Sequence, residues 1–147
     1  MYSKEDHKAL QKEFWQAFAE AYPRKWLLYN TKIKEVSFKF GLGYKMVFVT
    51  FDIECKEAHL RTIYYQKIES LRQLLWDDYL PNAQFEPSFS LENGKNISRI
   101  WIKSDGLFMN DRTQWQAIFD FFAQTMTQFE LFFLEYEDYI RDLELNT

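Results

Sequence analysis

Hydrophobic positions along the chain switch between two rhythms: steps of three and four, which suit a helix, and strict alternation, which suits a strand. Leu10, Phe14, Phe18 and Ala21 keep the helical rhythm behind Ser3 and Asp6, a loose capping box, so a first helix is predicted from about residue 4 until Pro23 stops it. Val36, Phe38 and Phe40 alternate with Ser37 and Lys39, the pattern of a half-buried strand. Val47, Val49, Phe51 and Ile53 then line one face of a second strand, opposite Thr50, Asp52 and Glu54, and Gly41 and Gly43 are expected to make the reversal between the two.

Leu60, Tyr64, Ile68, Leu71, Leu75 and Tyr79 predict a second helix over roughly 57–79, ended by Pro81. Phe85, Pro87, Phe89 and Leu91 alternate with Glu86, Ser88 and Ser90, and Asn93-Gly94 is a two-residue turn signal leading into 97–103, a second hairpin. Pro87 has no ladder donor, which places its strand at a sheet edge. From Asp111, with Gln114 three positions on, a helical pattern continues to about Leu143 without Gly or Pro. The order helix, hairpin, helix, hairpin, helix predicts one α+β domain over 1–147: a four-stranded, mostly antiparallel sheet with three helices packed on it, the last being the longest. The two hairpin-then-helix units share architecture and no convincing sequence repeat.

Composition changes this picture in one respect. The length of 147 residues suits one domain, and an aromatic fraction of 20% implies a thin core built from large rings. No basic segment with an apolar stretch behind it opens the chain, and no apolar run approaches the length that spans a bilayer, so neither secretion nor membrane insertion is expected. Cys55 is the single cysteine and cannot form an internal disulfide; with His7 and His59 it makes no metal-ligand spacing, and a cytoplasmic setting without cofactor or metal is expected.

Charge is uneven around a net −4. Residues 23–51 carry Arg24, Lys25, Lys32, Lys34, Lys39 and Lys45 against Glu35, while 111–147 carry eight acids against Arg112 and Arg141. The overall balance argues against a strong non-specific polyanion binder; the basic stretch leaves Arg24, Lys25, Lys32 and Lys34 as candidate phosphate contacts.

The sharpest catalytic candidate is Asp52-Ile53-Glu54-Cys55-Lys56, half of an acid-x-Lys nuclease motif in which carboxylates hold a divalent ion and the lysine stabilises charge. Its missing half needs an acid on a neighbouring strand, where only Glu35 is offered, and an exposed sheet face predicts the same residues. Gly41-Leu42-Gly43 is followed by a strand and so is no phosphate loop. Phe38 and Phe40 flank Lys39, but alternation puts rings and charge on opposite faces, which builds a core and not a stacking platform. Arg99 is either a ligand-facing cation or the partner of a neighbouring acid, with pairing favoured.

Phe119, Phe122, Met126, Phe129, Phe133, Tyr136, Ile140 and Leu143 follow at steps of 3,4,3,4,3,4,3, a heptad seam widened by Leu131, Phe132 and Leu134. Core packing explains such a stripe most simply. About 30 residues nevertheless make a helix of some 45 Å, longer than a strand of six or seven residues. Phe119 to Phe129 are therefore assigned to the core, and Phe133, Tyr136 and Ile140 are singled out for contact with a second copy.

Phe14-Trp15 with Phe18, the element Asn93-Gly94-Lys95-Asn96-Ile97-Ser98-Arg99-Ile100, and Trp115-Gln116-Ala117-Ile118-Phe119-Asp120-Phe121-Phe122 resemble a bacterial domain-of-unknown-function family, number 4268, over nearly the whole chain. The resemblance implies a small standalone protein related to domains appended to larger proteins, some with nuclease-like parts, and it implies no activity. Its pattern at Asp52-Ile53-Glu54 does not reliably continue into a lysine, which weakens the nuclease reading. The sequence thus points to a non-enzymatic interaction domain, self-associating as a dimer through its last helix or meeting another protein. An accessory nucleic-acid-binding domain is the alternative, and a metal-dependent nuclease using Asp52, Glu54 and Lys56 comes third.

Overall fold

The computed structural model describes residues 3–143. Helix α1 (Lys4–Ala21) begins at a complete capping box: Ser3 Oγ accepts from the Asp6 N–H, and the Asp6 carboxylate accepts from the Ser3 N–H. Strands β1 (Val36–Gly43) and β2 (Met46–Ile53) form the first hairpin. The reversal is made by Tyr44 and Lys45, with Lys45 at φ 53°, and not by the glycines, both of which lie inside β1. Gly41 has a different use. A Cβ there would sit 2.0 Å from Phe48 Cε2, so the missing side chain is what lets the Phe48 ring lie across the strand.

The expected second helix is two: α2 (Ala58–Glu69) and α3 (Arg72–Asp78). Ser70 Oγ donates to the Lys67 carbonyl at the break, the competition with the helix ladder that makes serine a poor interior residue. Strands β3 (Gln84–Ser90) and β4 (Asn96–Asp105) form the second hairpin through a turn in which the Gly94 N–H donates to the Leu91 carbonyl, so Glu92 and Asn93 are its central residues and Gly94, at φ 84°, follows them. Pairing between β3 and β4 slips between Glu86 and Phe89, at Pro87, whose carbonyl accepts from Ser98 Oγ. The sheet order is β1-β2-β4-β3, antiparallel throughout, so β3 lies at an edge as Pro87 required.

A short 3-10 turn, Arg112–Gln114, capped by Asp111, leads into α4 (Trp115–Arg141). Helices α1 and α4 pack on one face of the sheet, the covered face. Phe38 stacks on Phe51 at 4.6 Å, and both meet Phe129 and Phe133 of α4. Phe14, Trp15 and Phe18 of α1 interlock with Phe40 and Phe122. A core of interlocked rings is what the composition implied.

The heptad seam requires one correction. Phe133 is 1% exposed and Ile140 0%, both within their own chain, and Tyr136 is half-buried against Phe132. The helix does outrun the strands, but α2 and α3 flank its distal half. Tyr79 meets Phe132, Ser70 Oγ bonds Tyr139 Oη, and the Lys67 ammonium donates to the Asp142 carbonyl. The aliphatic side chains that α4 leaves outside are Leu131 and Leu134, about half exposed. No helix among the described residues is long and apolar enough to cross a membrane.

Candidate functional site

The register places a second set of side chains on the opposite face, which no described helix covers. Three rows cross the sheet there. The first runs Ser37, Asp52, Arg99, Glu86; the second Lys39, Thr50, Trp101, Gln84; the third Gly41, Phe48, Lys103. Phe48, Phe89, Ile97 and Trp101 take no part in the main hydrophobic core. Trp101 meets Phe48 and Phe89 edge-on, at 5.6 and 5.5 Å.

Beneath these rings lies an ion pair. Arg99 Nε donates to Asp52 Oδ1 at 2.7 Å and Nη2 to Oδ2 at 2.9 Å, the bidentate geometry that suits a guanidinium. Asp52 is 0% exposed and Arg99 6%, and the guanidinium lies 4.4 Å from the Phe89 ring centroid. Asp52 and Arg99 are cross-strand partners, so the pairing expected for Arg99 is the one found. Lys39 sits between two carboxylates, 3.4 Å from Asp52 Oδ2 and 3.1 Å from Glu54 Oε1. Burial pulls the Lys39 ammonium toward the neutral form, but the Asp52 and Glu54 carboxylates together outweigh it and its pKa is raised.

Three polar atoms of this face are buried with no hydrogen-bond partner among the described residues: Thr50 Oγ1, Trp101 Nε1 and Glu86 Oε2. Thr50 is 0% exposed and faces Trp101 across the ladder. Buried polar groups without partners are uncommon and destabilising, by about 1–3 kcal/mol each.

The nuclease candidates are divided by this arrangement. Asp52 is sealed against Arg99, and Glu54 accepts from Lys39. Glu54 and exposed Lys56 line a cavity of about 400 Å³ with Lys34, Glu35, Cys55, Glu57 and Leu60, so Glu35 is indeed adjacent. Among the described residues no three His, Cys, Asp or Glu side chains stand close enough to hold a metal. The one carboxylate on the strand that a divalent ion would need is already neutralised by cations. Cys55 is buried, and burial first, then the nearby Glu35 carboxylate, push its thiol up to about 11, which makes it a poor nucleophile.

The basic candidates separate as well. Arg24 Nη2 lies 2.5 Å from Glu130 Oε1 and its guanidinium stacks over Trp26, while Glu130 Oε2 accepts from the Leu27 N–H. Arg24 therefore ties the loop after α1 to α4 and is no free phosphate contact. Lys25, Lys32 and Lys34 remain exposed.

Sequence reasoning missed Phe48, Phe89 and Trp101 as members of one surface. A signal existed: Phe48 shares parity with Thr50 and Asp52, and Trp101 with Arg99 and Lys103, so each polar strand face carries one large ring. Phe89 could not have been placed, because the slip at Pro87 reverses its parity relative to Glu86.

Neither a curated protein nor a solved structure matches this chain. A sequence model of a family does, the one described as Domain of unknown function (DUF4268), over residues 10–137. That span holds every strand, α2, α3 and most of α1 and α4, so the sheet with its ring-covered ion pair sits wholly within the matched region, and the chain belongs to this family.

Proposed function

We propose that the chain is a non-enzymatic interaction domain that self-associates, and that its contact surface is the open sheet face and not the seam of α4. One observation carries this reading: Phe48, Phe89 and Trp101 lie outside the main core on a face with three buried, unpartnered polar atoms. Trp and Arg at the centre of a patch, ringed by Lys and Glu, make the composition of a binding hot spot. The test is molar mass by light scattering or sedimentation as concentration rises, for the natural chain and for Trp101→Ala. A concentration-dependent dimer weakened at least tenfold by Trp101→Ala is expected; a monomer at several hundred micromolar would remove the reading.

A second reading rests on a separate place. Tyr29, 69% exposed, stands with Asn30, Lys32, Ile33 and Lys34 around an open cavity of about 590 Å³. An exposed ring beside lysines suits stacking on a base with phosphate contacts, the work of an accessory nucleic-acid-binding domain. Binding of single-stranded DNA or RNA that weakens with salt and with Lys32→Glu/Lys34→Glu supports it, and no binding at low ionic strength disposes of it.

A further inference from the structure

The geometry points to a particular dimer: two copies lie sheet to sheet on their open faces, related by a two-fold axis parallel to the strands and centred between β2 and β4. This rests on the self-association reading above and adds the orientation.

The rows make that orientation self-complementary. An axis along the strands keeps each row at its own height and exchanges left for right, so β2 faces β4 of the second copy and β1 faces β3. Within the first row, the sealed Asp52–Arg99 pair makes no direct contact with the second copy and acts only through its dipole. Within the second row, half-buried Lys39 faces exposed Gln84 at the two ends, while Thr50 stays buried beneath the surface. In the third row Phe48 faces Lys103, a ring opposite a cation. The Asp52–Arg99 dipole points across the strands, and this axis sets the two dipoles antiparallel.

The other way to stack two sheets in line has its axis across the strands. Lys39 would then face Lys39, with the two ion-pair dipoles parallel. Like charges at a desolvating interface cost several kcal/mol, so the charge pattern selects the first arrangement. It also favours a second copy over a polyanion, because Lys39, Lys95, Arg99 and Lys103 on this side are matched by Asp52, Glu54, Glu86 and Asp105.

Size sets the strength. Four strands about 4.8 Å apart and about 25 Å long offer roughly 500 Å² per copy, the low end of specific interfaces. A dimer with a micromolar dissociation constant is expected, and it escapes notice in dilute samples. Sheets packed in this way stand about 10 Å apart with strands within about 30° of parallel, which keeps opposed positions within reach of a short cross-linker.

The experiment combines mass with cross-linking in a Cys55→Ala background. Lys103→Glu, an exposed change that leaves the fold's hydrogen bonds alone, should raise the dissociation constant about tenfold. Mixed Lys39→Cys and Gln84→Cys chains treated with a bismaleimide of about 8 Å reach should link to a dimer, and neither chain should link by itself. A monomer at all concentrations overturns the dimer and the reading beneath it. A dimer indifferent to both Lys103→Glu and Trp101→Ala moves the interface off this face and overturns the inference. Linking by Lys39→Cys alone overturns the axis while leaving the sheet-face reading intact.

Discussion

The two faces of this sheet meet the same need for burial with different means. On the covered face, Phe38 and Phe51 are closed off by Phe129 and Phe133 from a helix, and alternation along β1 and β2 supplies apolar residues to match. On the open face no helix arrives, and the strands close their own surface: Phe48, Phe89 and Trp101 lean over Asp52 and Arg99. The difference teaches that a charged pair can be as buried as a core phenylalanine without lying in the core. Its cost differs, because rings on one side and a salt bridge beneath leave little tolerance for losing either charge.

Breaking the covered face should have the largest effect. Phe129→Ala removes a ring packed against both Phe38 and Phe51, and a loss of about 3–5 kcal/mol is expected in chemical denaturation. Asp52→Ala tests the open face with a similar tool. It leaves Arg99 buried without its carboxylate, at a cost of about 3–5 kcal/mol, whereas Asp52→Leu with Arg99→Met should recover most of it. A single-variant loss under 1 kcal/mol would show that water reaches the pair and that the two faces differ less than their burial says.

A smaller effect separates two glycines. Gly41→Ala drives a methyl into the Phe48 ring and should lose about 1–3 kcal/mol, together with dimerisation, because that ring belongs to the open face. Gly43→Ala meets only the flexible Met46 side chain at 2.9 Å and should be milder by the same assay.

The smallest effect is a pH dependence at Cys55. With its thiol pushed up to about 11, the folded chain keeps it neutral where an unfolded chain would already ionise it. Its contribution to stability is therefore complete below the ordinary thiol pKa and is lost as pH rises toward about 11. Reaction with a thiol reagent at pH 8 should be slow until denaturant is added; prompt reaction in the native state would place Cys55 at the surface.

Much of the fold was legible because its signals are local. Ser3 with Asp6 capped α1, Asn93 and Gly94 marked the turn of the second hairpin, and Pro87 marked an edge strand, each through backbone chemistry confined to a few residues. The break at Ser70 and the Tyr44-Lys45 turn were local too, yet stronger neighbouring patterns concealed them: an unbroken apolar stripe in one case and two glycines in the other. The candidate site was legible only in part. The pairing of Arg99 with an acid was expected from its place on a strand, but which acid depended on the alignment of β2 with β4.

Alternation by itself determined which residues of each strand share a face, since successive side chains must point to opposite sides. The heptad rhythm likewise determined that one side of α4 is apolar. Only the tertiary structure decided what those sides meet. Strand register set Asp52 beside Arg99 and Thr50 beside Trp101, and the slip at Pro87 turned Phe89 toward them. The positions of α2 and α3 decided that Phe133 and Ile140 are interior. These are contacts between residues tens of positions apart, and no short stretch of sequence carries the geometry that joins them.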